Sequence, residues 1–261
     1  MINPAAILLV LLLAFWDAWQ LLAVRLDSGV DAIPLLLVLT AVFVPLARRL
    51  YSGAAGFPVE LRYLTAALLL YVSATLFAPP PIRIAVAAVT LLGAMHQVGI
   101  GRRPGAPFVS LTLLALPVLP SLEFFLAYPL RVASAGITAL MLRTNGFPVA
   151  LDGVALRWGE ATVQFDAACS GVRMLWGALF LASALALIAG LPLRRYALLI
   201  AAAVPLAIFA NALRAASLFY LEANAAALSL PPAAHELTGI AAFAMLAVAV
   251  MTLGVRQRLA Q

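Results

Sequence analysis

The chain has 261 residues, of which 66% are hydrophobic and 10% charged, against roughly a quarter charged in a soluble domain. That much apolar surface cannot be hidden inside a water-soluble fold of this length, so composition excludes a soluble enzyme or binding module and assigns a polytopic membrane protein. The net charge of +6 comes entirely from arginine, with no lysine, and the arginines fall in pairs between apolar runs; that pattern marks membrane topology and excludes a nucleic-acid surface.

Eight spans are expected in chain order, near 4–24, 32–47, 63–78, 82–100, 106–126, 172–190, 196–221 and 236–254. The fold class is therefore an all-α polytopic membrane protein, one integral domain over 1–261. Four N-terminal spans lie in 1–104, the remaining spans form a core in 105–254, and a small β-like segment fills 144–168. The first span has no basic stretch before it and no small-residue cleavage site, so it reads as a retained helix. If the N-terminus is cytoplasmic, Arg48 with Arg49, Arg102 with Arg103, Arg194 with Arg195, and Arg256 with Arg258 all fall inside. Both termini are then cytoplasmic, and the opposite face receives scattered single arginines, Arg25, Arg83, Arg131, Arg143 and Arg157.

One segment competes with this count. "YPLRVASAGITALMLR", 128–143, is short, amphipathic and interrupted by Arg131. Were it an additional span, every later arginine pair would move outside. It is therefore expected to lie in the outer interface as a surface helix.

The sizeable polar stretch that follows is "FPVALDGVALRWGEATVQFDAAC". Asp152-Gly153 signals a hairpin and Gly159-Glu160 a second turn. The alternation of Val154, Leu156 and Trp158, then Val163 and Phe165, predicts a three-stranded meander on the extracytoplasmic side, ahead of the helix that carries Cys169.

Cys169 is the chain's single cysteine, which excludes an intrachain disulfide and leaves apolar filler or chemistry. It opens the sixth span at the outer surface. Asn211 and Arg214 lie in the outer half of the seventh span, and His235 opens the eighth. Three reactive residue types thus meet at one depth. A thiol attacks as its thiolate, which the partial positive charge of a helix N-terminus favours. An imidazole can take and return a proton, and a guanidinium can hold the charge of a tetrahedral oxyanion. Gly171 would allow close backbone approach, and Ser170 could cap the helix or donate a hydrogen bond.

Arg214 is the most telling of these residues, because a charge inside an apolar span costs about 2.5 kcal/mol or more and so belongs in a polar cavity. Asn211, one turn earlier, shares its face. Arg173 stands on the face of Cys169, as a substrate contact or a neighbour of the nucleophile. Asp17 and Glu123 sit near outer span ends, Glu222 is placed to pair with an arginine, and His96 with Gln97 read as helix packing toward the cytoplasmic end. No metal site is expected, since the two histidines fall on opposite sides of the membrane.

"ACSGVR", "NALRAASL" and "HELTG", in this order and each at the start or outer half of a span, resemble the exosortase/archaeosortase family. The family's motifs are A-C-S-G-[L/V]-R, N-x-x-R and H-x-x-x-G, and the likeness runs from about residue 117 to 250. These are membrane cysteine transpeptidases. The resemblance implies Cys169 as nucleophile, Arg214 as transition-state stabiliser and His235 as proton carrier, with Ser170, Gly171, Arg173, Asn211 and Gly239 around them.

It also implies a place in the bacterial inner membrane, with the site on the periplasmic face. The partners would be secreted proteins ending in a short motif such as Pro-Glu-Pro, a transmembrane helix and a basic tail, cleaved through a thioester and passed to an acceptor. No cofactor is expected. Valine in "SGVR", where leucine is commoner, leaves subfamily and motif open. Two other readings stand beside this one. One is a transporter or flippase binding an anion at Arg214, Asn211 and His235. The other is a non-catalytic assembly factor for envelope or exopolysaccharide export. A rhomboid-type serine protease lacks its Gly-x-Ser-x-Gly here.

Overall fold

The computed structural model describes residues 4–27, 32–52, 59–159, 161–164, 170–223 and 234–259. They form two compact units, Met1–Val118 and Leu119–Gln261.

The first unit holds α1 (Pro4–Ala14), α2 (Trp16–Asp27), α3 (Ile33–Tyr51), α4 (Leu61–Phe77), α5 (Pro80–Ile100) and α6 (Ala106–Ala115). Helix α5 is its axis and packs on the other five. Prolines open it, where a first turn lacks hydrogen bonds in any case, and Gly101 closes it with a left-handed φ of 77°. The chain bends by 66° between α1 and α2. Phe15 at that bend is fully buried, its ring 4.4 Å from that of Tyr71. The Trp19 indole N–H donates to the Leu12 carbonyl at 2.9 Å, which satisfies a backbone group beside the break. Asp17 accepts a hydrogen bond from Tyr71 and lies 4.0 Å from Arg83, so its carboxylate is held within this unit. His96 is buried with its ring 4.5 Å from that of Phe108, a packing role.

The second unit begins with α7 (Leu119–Thr144), continues through strands β1 (Ala150–Asp152), β2 (Ala155–Trp158) and β3 (Ala161–Gln164), and ends with α8 (Val172–Ala189), α9 (Leu193–Ala223) and α10 (Ala234–Leu259). The last three helices pack on one another, and α7 lies against α8 and α9. The expected meander is present as an antiparallel sheet in the order β1-β2-β3. Its first hairpin pairs Asp152 with Ala155, so Gly153, at φ 61°, takes a turn position closed to most side chains. Leu156 is buried, and Val154 and Trp158 pack with it on Leu142 of α7 and Phe219 of α9, as the alternation predicts. Phe165 lies outside the described residues, as do the side chains of Val163 and Glu222.

The count of eight spans is not confirmed, and the expected course of the chain from 106 to 143 is corrected. Among the described residues, five helices (α5, α7, α8, α9 and α10) are long and apolar enough to cross a bilayer, or six if the bent α1–α2 pair counts as one span. Eight spans do not emerge by that measure: α3, α4 and α6 are not among the five or six, α4 having 17 residues and α6 only ten. The span expected at 106–126 is broken. Leu116 precedes Pro117, which disfavours helical backbone, and its ψ of 163° ends α6 there. Nor is there a separate helix at 128–143. That sequence is the body of α7, which runs 26 residues, about 39 Å, straight through Pro129.

Candidate functional site

The site is built around the turn that starts α8. Gly171 caps this helix with φ 76°, a conformation that costs an L side chain about 1–2 kcal/mol. Its carbonyl accepts from the Leu175 amide at 2.9 Å, the first bond of the helix. The missing side chain is also used for packing. A Cβ on Gly171 would come within 2.8 Å of both Cγ and Nδ2 of Asn211, so the Asn211 carboxamide occupies the space glycine leaves.

Asn211 on α9 is 1% exposed, and a buried carboxamide requires partners. Its Nδ2 donates to Ser134 Oγ on α7 at 3.0 Å. One turn along α7, the Thr138 hydroxyl is 2.8 Å from the Ser134 carbonyl and 3.1 Å from the Ala212 carbonyl. Helices α7 and α9 are thus joined by a buried polar network directly beneath the turn that opens α8.

Arg214 follows Asn211 by three residues, on the same side of α9. It packs on α10, where a Cβ added to Gly239 would lie 3.4 Å from its Nε. A cavity of about 480 Å³ opens between α7, α8 and α9, lined by Glu123, Ser170, Gly171, Arg173, Asn211 and Arg214 together with Ala127 and Met174. Two guanidinium groups against one carboxylate make this lining cationic. Arg173 Nε donates to Glu123 Oε1 at 3.3 Å, and the Arg173 side chain is 81% exposed. A pair so open to solvent is worth about 1 kcal/mol at most and can exchange with a solute.

Among the residues expected to act, Ser170, Gly171, Arg173, Asn211 and Arg214 share this cavity, and Gly239 supports Arg214. Cys169 lies outside the described residues; it is bonded to Ser170, which is buried in the cavity wall. His235 belongs to the first turn of α10, one turn before Gly239, so its backbone falls on the helix face that Gly239 turns to Arg214. Its side chain also lies outside the described set. Reading the sequence missed Ser134 and Thr138, although two hydroxyls four apart in an apolar helix are a signal for a buried polar contact. Among the described residues, no three His, Cys, Asp or Glu gather as a metal site would need.

The family model described as transmembrane exosortase (Exosortase_EpsH) matches residues 3–252. Neither the curated proteins nor the solved structures contain a match.

Proposed function

The chain belongs to the transmembrane exosortase family, and we propose that within it the protein is a cysteine transpeptidase that cuts C-terminal sorting signals from secreted proteins. The observation that carries this reading is the shared cavity: Arg214, half-buried in a mainly apolar helix, lines the same space as the Ser170–Gly171 turn that directly follows Cys169.

In this mechanism the Cys169 thiolate attacks the scissile carbonyl carbon, and the carbonyl oxygen becomes an oxyanion facing the Arg214 guanidinium. The C–N bond then breaks. His235, protonated, passes its proton to the departing amine, and the acyl fragment remains as a thioester on Cys169. An acceptor nucleophile next attacks the thioester carbon, giving its proton to His235, and the thiolate leaves to restore the starting state. Asn211, packed under Gly171, fixes the turn that directly follows Cys169 in the chain.

The proposed topology has both termini in the cytoplasm and the cavity on the periplasmic face of the inner membrane. Helix α7 takes the place of the fifth span and α6 stops short of crossing. That exchange leaves the direction of α8, α9 and α10 unchanged. A substrate anchored by its own helix would then present its motif at the depth of the cavity, with its basic tail inside.

The test is a comparison of membrane proteins from source cells carrying the wild type, Cys169→Ala or Cys169→Ser. We expect a set of C-terminally anchored secreted proteins to accumulate uncut in both variants, sharing one motif. Identical membrane proteomes would overturn the reading and favour a transporter or an assembly factor.

A further inference from the structure

A second site lies in the first unit, at the end where α4 begins and α5 finishes. A cavity of about 400 Å³ there is lined by Glu60, Arg62, Tyr63, Gln97, Arg103 and Pro104. Directly alongside, a groove of about 370 Å³ runs between α4 and α5, and its lining is apolar: Ala66, Ala67, Leu70, Ala85, Val86 and Val89 are among its walls. Tyr63 lines both. Its hydroxyl donates to the Val89 carbonyl at 3.2 Å and sits against Gly93, where a Cβ would come within 2.5 Å of it. The tyrosine is thereby pinned to α5 at the junction of a polar chamber and a greasy channel.

The polar chamber is organised for an anion. Glu60 grips Arg103 in a two-point contact, Nε to Oε1 at 2.8 Å and Nη2 to Oε2 at 2.7 Å, which fixes the plane of the guanidinium and neutralises one charge. Arg62 adds a second cation, so the lining carries two positive groups and one negative. Arg102, next in sequence to Arg103, is exposed at the same end. Arginine matches phosphate geometry in a way a point charge does not. The position suits an amphiphile as well. Helix α5 has 21 residues, about 32 Å, so its end reaches the boundary between hydrocarbon and water.

We infer that this is a binding site for one anionic phospholipid, with the phosphate at Arg62 and Arg103 and an acyl chain in the groove between α4 and α5. The apolar channel decides for a lipid over free phosphate, since a soluble anion would leave it unused. The excess positive charge decides for an anionic headgroup over a zwitterionic one, whose ammonium would meet Arg62. The site makes no use of the cavity beside α8, and its test does not depend on what that cavity catalyses.

The experiment is native mass spectrometry of the full-length protein in detergent, titrated with phosphatidylglycerol or phosphatidylcholine of the same chain length. Glycerol 3-phosphate serves as the headgroup without chains. The wild type should retain one phosphatidylglycerol in preference to phosphatidylcholine, and glycerol 3-phosphate should not displace it. Retention should fall about tenfold or more in Arg62→Gln/Arg103→Gln, the scale of losing charge-assisted hydrogen bonds. The Arg62→Lys variant, which keeps the charge without the planar fork, should bind more weakly than wild type and better than Arg62→Gln/Arg103→Gln. Ala67→Phe, which fills the groove and leaves both arginines, should also release the lipid. Unchanged circular dichroism and elution volume identify variants that remain folded. Equal retention of the two lipids, or full retention in the double variant, would overturn the inference. Displacement by glycerol 3-phosphate would reassign the site to a soluble anion and overturn it likewise.

Discussion

Replacing Gly171 with alanine separates two physical effects that the structure combines at one residue. The first is backbone strain, since φ is 76°, and left-handed backbone costs an alanine about 1–2 kcal/mol. The second is overpacking: the new methyl would lie 2.8 Å from Asn211 Cγ, and Asn211 is tied to Ser134 and cannot swing away freely. Forcing a methyl into such a place costs about 1–3 kcal/mol. Gly190, at the other end of α8, provides the internal reference. Its φ is 64°, yet nothing lies within 4 Å of an added Cβ. Gly190→Ala therefore carries the strain alone, about 1–2 kcal/mol. Equilibrium unfolding of both variants in mixed micelles should show Gly171→Ala to be the more damaging by about 1–3 kcal/mol. Adding Asn211→Ala should recover much of that difference, as a double-mutant cycle would report. If Gly171→Ala costs no more than Gly190→Ala, Asn211 does not fill the space beneath the turn, and the argument for a fixed nucleophile loses its support.

Two further outcomes are expected from the packing. Thr112 of α6 is fully buried, and among the described residues its hydroxyl has no hydrogen-bond partner. Thr112→Val should therefore raise stability by about 1 kcal/mol, and a loss in the same unfolding assay would mean that the hydroxyl is satisfied. Ser134→Ala removes the acceptor for Asn211 Nδ2 and should cost about 0.5–1.5 kcal/mol. It should also slow alkylation of Cys169, the single thiol, by iodoacetamide in the folded protein, because the Ser170–Gly171 turn that follows it in the chain is less firmly held. An unchanged alkylation rate would confine Ser134 to a structural role.

Much of the fold is legible in the sequence where local chemistry decides it. Asp152-Gly153 and the alternation through Trp158 specify the meander, and the glycines at both ends of α8 mark that helix to within a residue. The error at α7 has a local cause too. Arg131 reads as an interruption and makes 128–143 look like a short surface helix, yet α7 passes through it and through Pro129, and the break falls at Pro117 instead. Proline inside a helix is tolerated where neighbours satisfy the freed groups, and a single sequence does not show those neighbours. Misplacing α7 hid Ser134 and Thr138, because a helix lying in the interface would not reach Asn211.

The residues that line the candidate cavity were legible through spacing, with Asn211 and Arg214 one turn apart and Ser170 and Gly171 at a helix start. Contacts between distant segments were not. Asp17 meets Tyr71 and Arg83, and Glu123 meets Arg173 fifty positions away. No periodicity carries such pairings; they follow only from which helices pack together.

The central claim is that Cys169 carries the acyl group between substrate and acceptor. The measurement that tests it most directly is the intact mass of the purified protein after incubation, without acceptor, with a substrate found to accumulate in Cys169→Ala cells. The account predicts an added mass equal to the substrate's N-terminal fragment, mapped to Cys169 and released by hydroxylamine. A substrate cut equally well by the Cys169→Ala protein would contradict it.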